Sequence, residues 1–245
     1  MKRQLDQEVS IARSIQKTFL PRRKLELEGF DIAGINISSR QVGGDYFDYI
    51  KIEEGQTGLV IADVSGKGIP ASLIMASFRA SLIAEIRNNY AIRAIMQKVN
   101  RLLTESLDHG NFVTAVYGVL DNKSKIFTYS NAGHFPPILV DKDGHTIELK
   151  EGGLAFGIEP EVRYEERPIG LHDGDILIFF TDGVTEAQNS EGDQFETDRM
   201  VDIVSKNRDK TAEEIAHTIV DAINQFKDPD FILDDLTIMI LKVVT

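Results

Sequence analysis

Two short apolar runs in this chain each end on an aspartate and a glycine turn, and that pairing limits the folds open to it. The first is Leu59-Val60-Ile61-Ala62, followed by Asp63-Val64-Ser65-Gly66-Lys67-Gly68. The second is Ile176 to Phe180, followed by Thr181-Asp182-Gly183. Continuous apolar runs rich in β-branched residues read as strands buried on both faces. A strand that delivers a carboxylate to a glycine turn places a charge where the chain leaves the core. Gly66 and Gly68 permit a tight turn, and Pro70 suits the first position of a helix, where its missing N–H costs nothing. A single acid of this kind serves equally well as a turn former or helix cap. Two of them, more than a hundred residues apart, ask for a common purpose.

The chain's 245 residues allow one large domain or two small ones. The balance of 39 acidic against 27 basic residues, a net charge of −12, argues against a nucleic-acid partner. The absence of cysteine excludes a disulfide scaffold and a thiolate metal site. There is no uninterrupted apolar run of the roughly 18 residues that would span a bilayer. The opening Met1-Lys2-Arg3 is polar, unlike a signal peptide, so a cytoplasmic location is expected.

Residues 1 to 20 carry Leu5, Val9, Ala12, Ile15 and Phe19 at helical spacing, up to a stop at Pro21 and an Arg22-Arg23-Lys24 run. This helix could lie on its own domain or act as a linker or dimer helix. A strand is expected over 30–38. In Gly43-Gly44-Asp45-Tyr46-Phe47-Asp48-Tyr49-Ile50, two aspartates stand in an aromatic strand, where Asp is unfavourable. This strand should pair as a hairpin with 58–62, bringing Asp45 near Asp63. Helices are expected over 69–88 and 91–107, with a break at Asn88-Asn89-Tyr90. Strands follow over 112–120, 125–130, 138–140, 146–149, 162–169 and 176–181, then helices over 198–205 and 211–226. Asp234-Asp235 opens a last strand over 236–244. Runs of strands with helices in pairs imply an α+β fold: a four-layer α-β-β-α sandwich of two antiparallel sheets flanked by helix pairs.

Asp63 and Asp182 end apolar strands, and Asp45 and Asp234 stand beside such strands. Four acids distant in sequence could therefore meet at one edge of the sheets. Carboxylates at close range repel by several kcal/mol at intermediate dielectric, roughly 4 kcal/mol at 4 Å, so such a cluster needs cations. Oxygen-only ligands suit Mg²⁺ or Mn²⁺. Two such ions would activate a bridging water and clamp a phosphoryl group for in-line attack.

Taken together, Val42-Gly43-Gly44-Asp45-Tyr46-Phe47-Asp48, Ala62-Asp63-Val64-Ser65-Gly66-Lys67-Gly68, Asn131-Ala132-Gly133-His134, Phe180-Thr181-Asp182-Gly183-Val184-Thr185-Glu186-Ala187 and Asp234-Asp235-Leu236-Thr237 resemble the bacterial metal-dependent Ser/Thr phosphatases of the PP2C superfamily. The RsbU/SpoIIE-like branch is the most similar, and Ile15-Gln16-Lys17-Thr18-Phe19-Leu20-Pro21 matches the helix preceding the domain there. The resemblance implies a linker or dimerisation helix over 1–24 and a PP2C-like phosphatase domain over 25–245. It implies two divalent cations, Mn²⁺ or Mg²⁺. Asp63 would bridge them and the Val64 carbonyl would bind one. Asp182 and Asp234, with Asp235 beside it, would complete the first ion, and Asp45 would serve the second. Arg40 matches the position of a phosphate-holding arginine, though it also reads as a solvated one. Ser65 stands where eukaryotic relatives carry a histidine proposed as general acid, which puts side-chain protonation of the leaving group in doubt. His134 is expected to set turn geometry rather than act as a base, and Asp48 and Glu186 to lie behind the ligands or at the surface. The helices over 69–107 resemble the switch element that couples partner binding to the site, or serve as plain cover for a sheet.

The implied function is hydrolysis of a phosphoserine or phosphothreonine, with a phosphorylated STAS-domain anti-sigma-factor antagonist as substrate. A homodimer through the N-terminal helix and an upstream sensor domain are the other implied partners. The alternative is an inactive phosphatase-like module that only binds its partner; four retained aspartates count against it. A diguanylate cyclase is rejected because Tyr46 replaces the Glu of the Gly-Gly-Asp-Glu-Phe signature, and a P-loop because Gly66-Lys67-Gly68 lacks its spacing.

Overall fold

A computed structural model describes residues 2–21, 25–89, 91–108 and 110–244. The Arg22-Arg23-Lys24 run, the expected boundary at 24/25 and Tyr90 of the expected helix break lie outside the described residues. Elements are numbered in chain order. One sheet runs β1 (Glu26–Leu27), β2 (Phe30–Ile37), β12 (Leu236–Val243), β11 (Ile176–Phe180), β7 (Ile138–Val140), β8 (Thr146–Glu148). The other runs β10 (Arg167–Gly170), β6 (Ile126–Ala132), β5 (Val113–Asp121), β4 (Gln56–Val64), β3 (Tyr46–Glu53). A short β9 (Gly152–Gly153) adds to β6 in parallel, the one departure from antiparallel pairing among these strands.

The helices are α1 (Lys2–Gln16), α2 (Ile69–Asn88), α3 (Ile92–Ser106), the single turn α4 (Asp182–Thr185), α5 (Glu196–Lys206) and α6 (Ala212–Phe226). Three apolar clusters define the layers. Met75, Phe78, Leu82 and Met96 of α2 and α3 pack on Val60, Ala62 and Tyr117 of the β4 sheet. Met200, Ile215 and Ile219 of α5 and α6 pack on Ile178, Ile238 and Ile240 of the β11 sheet. Between the sheets, Leu59, Ile61 and Phe47 face Leu177, Phe179 and Met239. Odd residues of β4 and β11 thus enter the inter-sheet core and even ones the helix layers, which is why both strands read as unbroken apolar runs. The expected α-β-β-α sandwich is the fold observed.

Three local expectations change. The strand over 162–169 shrinks to Arg167–Gly170, because its pairing with β6 starts only at Arg167. On α1, Ile15 is not on the buried face: Ile11 and Ile15 are exposed, and Gln16 is the buried one among the helix side chains described. Although no run of 18 apolar residues exists, α2 is long and apolar enough by composition to cross a membrane. Here it covers a sheet instead, burying the stripe Ala71, Met75, Phe78, Leu82, Ile86.

The sheets approach closely at Gly34 of β2, where a Cβ would meet the Phe47 ring of β3 at 2.3 Å. Overpacking a close-packed core typically costs 1–3 kcal/mol. Gly34→Ala is therefore expected to lower unfolding free energy by about 1–3 kcal/mol, read as a lower urea midpoint at unchanged slope.

Candidate metal-binding phosphatase site

At one edge of the sandwich, β4 ends, β11 ends, and β3 and β12 begin. The β3–β4 register pairs Tyr46 with Ala62, which sets Asp45 across from Asp63, as the hairpin expectation required. Asp182 opens α4 one residue after Thr181, and Asp234-Asp235 directly precede β12, whose Ile238 pairs with Phe180. The structure thus brings Asp45, Asp63, Asp182, Asp234 and Asp235 into one electrostatic cluster.

Each acid is handled differently. Asp45 is buried, 3% exposed. Its Oδ2 accepts hydrogen bonds from Thr181 Oγ1 at 2.8 Å and Thr237 Oγ1 at 2.6 Å, both donors belonging to the opposite sheet. Its Oδ1 is buried with no hydrogen-bond partner among the described residues. Burial, and then the charge of Asp63, push the Asp45 carboxyl well above the usual carboxylate range. Burial and the charge of Asp182 raise Asp63 to about 7. Asp182 rises to about 6 through burial, Asp234 and Glu186.

Asp235 is engaged on both oxygens. Oδ1 accepts from Ser39 N at 2.7 Å and Ser39 Oγ at 2.9 Å, and Oδ2 from Gly44 N at 2.8 Å. It therefore ties the turn before β3 to the start of β12. A Cβ on Gly43 would fall 2.2 Å from that Oδ2, so the turn requires glycine. Asp234 instead faces Lys67, whose Nζ lies 2.6 Å from its Oδ2. A Cβ on Gly44 would sit 3.0 Å from the Val64 carbonyl oxygen, which the glycine leaves clear. Arg40 is exposed beside Gly68, on the α2 side of the site.

Other expected residues lie just outside the acids. His134 is buried, with Nδ1 at 2.9 Å from Thr114 Oγ1 and Nε2 at 3.1 Å from the Phe180 carbonyl. A carbonyl only accepts, so Nε2 carries the proton and Nδ1 accepts from Thr114. Burial lowers its pKa to about 4, keeping it neutral. It links β5 to the end of β11 beneath the cluster. Ser65 is clipped to Phe112: its N–H donates to the Phe112 carbonyl and its Oγ accepts from Phe112 N at 2.9 Å. Asp48 lies away from the acids. It accepts from Tyr46 Oη at 2.7 Å and faces Arg79, whose Nε donates to the Phe19 carbonyl and whose guanidinium covers the Phe19 ring.

Sequence reasoning assigned no role to Gln16, Thr181, Thr237 or Lys67. Gln16 Nε2 donates to the Gly43 carbonyl at 2.7 Å and its Oε1 accepts from Gly43 N at 3.2 Å, so α1 grips the glycine turn that delivers Asp45. The available signals were a glutamine on an otherwise apolar helix face, and threonines next to or near the acids.

The fit to cations rests on these donors. A buried carboxylate oxygen without a partner among the described residues, beside acids held toward their neutral forms by burial and then by one another, is the electrostatic demand that a divalent ion satisfies. The donors are all oxygen, suiting Mg²⁺ or Mn²⁺. Among the described residues, the one triplet of acids and histidines with ligand atoms all within 4.8 Å is Asp141, Asp143 and His145. That triplet lies in the β7–β8 turn, at the opposite end of β11 from Asp182. The site acids are spaced more widely, which suits ions that keep several waters.

Two outcomes follow. Without metal, Asp63 and Asp182 hold protons in the folded state that they release in the unfolded state between pH 4 and 7. Stability of EDTA-treated protein should therefore fall as pH rises through that window. Asp63→Asn should flatten the slope in pH-resolved urea titrations. Gln16→Ala leaves the Gly43 N–H and carbonyl without buried partners and should cost about 1–3 kcal/mol in the same assay.

A family model described as stage II sporulation protein E (SpoIIE) matches residues 53–244. The phosphoserine phosphatase RsbU of Bacillus subtilis is 30% identical over 244 residues, covering 99% of this chain and 72% of that protein. The SiaA-PP2C domain of Pseudomonas aeruginosa superposes with a TM-score of 0.87 over 98% of each chain at 20% identity. The catalytic domain of the phosphatase PstP, solved in complex with two manganese ions, superposes with a TM-score of 0.65 at 14% identity, covering 88% of this chain and 99% of that one. With its acids gathered where the two sheets meet, the chain belongs to the SpoIIE family of PP2C-fold protein serine/threonine phosphatases.

Proposed function

We propose that this phosphatase hydrolyses phosphoserine or phosphothreonine on a small STAS-domain anti-sigma-factor antagonist, in the cytoplasm, using two divalent cations, Mn²⁺ or Mg²⁺. The observation that carries this reading is the gathering of Asp45, Asp63, Asp182 and Asp234 at one sandwich edge, with Asp63 and Asp182 pushed to about 7 and about 6. Retention of all four acids in a cluster that costs stability supports a working enzyme over a binding module.

Asp63 would be shared between the cations, with the Val64 carbonyl, Asp182 and Asp234 completing one set and Asp45 serving the other. Bound there, such ions lower the pKa of water toward neutrality and neutralise phosphoryl oxygens. The chain's own contribution is position. Thr181 and Thr237 fix Asp45 through Oδ2 and leave Oδ1 turned away from them. Asp235 and Gln16 hold the Gly43-Gly44 turn, and His134 fixes the end of β11 without titrating near neutrality. No side-chain acid occupies the Ser65 position, since that hydroxyl is tied to Phe112; the leaving-group proton comes from solvent in this reading. Arg40 stands exposed beside Gly68 and is assigned to the substrate phosphate. The N-terminal helix is proposed as a linker to an upstream sensor domain and as a dimer contact. Its exposed Ile11 and Ile15 are an apolar edge left outside the domain's core.

The test is incubation with a panel of phosphorylated STAS-domain proteins. Phosphate release is expected only with Mn²⁺ or Mg²⁺ and is lost with EDTA. Asp63→Asn and Asp182→Asn should each lower kcat/KM by about a hundredfold or more, the scale seen when a charge-stabilising group is removed, at unchanged circular dichroism. Retained turnover in both variants would refute the assignment.

A further inference from the structure

Beside the acids runs a groove of about 150 Å³ lined by both charged and apolar side chains. Lys67, Asp234 and Glu186 line it together with the apolar Phe231, Ile232 and Leu233. We infer that this groove seats the phosphorylated segment of the protein substrate, Lys67 gripping the phosphoryl group and Ile232 meeting an apolar side chain next to the phosphoserine. The inference rests on the phosphoserine reading above and adds the residues that select the substrate.

Lys67 is built to reach the site. It stands between Gly66 and Gly68, whose φ values of +92° and +75° form a turn that projects the side chain out of the end of β4. Its side chain is half exposed, and its Nζ meets Asp234 and feels Asp182 and Asp235 as well. An ammonium among carboxylates that would hold cations is displaced toward the next anion available, and in a phosphatase that anion is the substrate's phosphoryl group. Serine at position 65 cannot do this while clipped to Phe112.

The run Phe231-Ile232-Leu233 in the same lining presents an apolar edge. Ile232 is 86% exposed, the highest among the large hydrophobics described, and sits two residues before Asp234. The loop behind it is anchored. Asp228 N donates to the Gln188 carbonyl at 2.8 Å, and Phe231 N to the Asp228 carbonyl at 3.0 Å. Asp230 N donates to Asp228 Oδ1 at 2.8 Å. A fixed loop that holds an isoleucine in water, next to a reaction site, presents a contact surface at low ordering cost. A cation and an apolar ledge lining one groove complement a phosphoserine followed or preceded by an apolar residue.

The test uses the Mn²⁺-loaded chain, wild type and the variants Lys67→Met, Lys67→Arg and Ile232→Ser. The probes are p-nitrophenyl phosphate, inorganic phosphate, and two phosphoserine peptides bearing Leu or Asp beside the phosphoserine. Lys67→Met should weaken inorganic phosphate binding in equilibrium dialysis by about tenfold or more, the scale of one charge-assisted hydrogen bond, with Lys67→Arg recovering most of it. It should lower kcat/KM on both ester classes alike. Ile232→Ser should erase the wild-type preference for the Leu peptide, a loss of about tenfold as for other single apolar contacts. Unchanged phosphate affinity in Lys67→Met would make Lys67 only the partner of Asp234 and overturn the inference. A loss in that variant confined to the peptides, or a Leu preference that survives in Ile232→Ser, would overturn it as well. A wild type that cleaves p-nitrophenyl phosphate but neither peptide would instead refute the phosphoserine reading.

Discussion

Asp45 is the point at which two sheets become one site. Its carboxylate comes from the β4 sheet, and the two hydroxyls that hold it, from Thr181 and Thr237, come from the other. Asp235 returns the tie in the opposite direction, reaching from β12 to Gly44. Hydrogen bonds contribute about 0.5–1.5 kcal/mol each, and more to a charged group, and none of these three bonds could form if the sandwich edge slid by one residue. The register of β2, β12 and β11 against one another, which sets the two core faces, also keeps those hydroxyls at Asp45.

The same edge is where the fold works against itself. Burial and mutual repulsion hold Asp45, Asp63 and Asp182 toward their neutral forms. In the absence of ions, Lys67 supplies a positive charge to Asp234, and its ammonium is correspondingly held above its usual pKa. A site assembled to bind cations is destabilised whenever it lacks positive charge, so stability and function share one set of residues. The three apolar layers around it supply the stability that this arrangement draws on.

The first helix is joined to this edge by contacts of two kinds. Gln16 grips the Gly43 backbone directly, and Phe19 carries Arg79 of α2, which faces Asp48 on the strand that begins one residue after Asp45. Both routes end on β3 or the turn before it. A displacement of α1 would release hydrogen bonds at the turn that positions Asp45, a physical link between an N-terminal element and the acids.

Much of this was legible in sequence because it is local. Apolar runs ending on acids mark β4 and β11, and glycine pairs mark the turns. Helical periodicity marks α2, α3 and α6, and the capping box of Thr211 and Glu214 starts α6 close to where its pattern begins. The sandwich follows because strands apolar on both faces must be covered twice. Other features depend on partners 27 to 196 residues away, and no local pattern carries them. Whether Asp235 is a ligand or a clamp turns on Ser39 and Gly44, and the burial of Gln16 in place of Ile15 turns on Gly43. Ser65 is occupied by Phe112, and Lys67 lies against Asp234. The sequence alone determined which residue types stand at strand ends, since that is set by burial along each strand. Only the tertiary structure decided which of those ends face one another, because a carboxylate's role follows from the donors and charges that packing brings within a few ångströms.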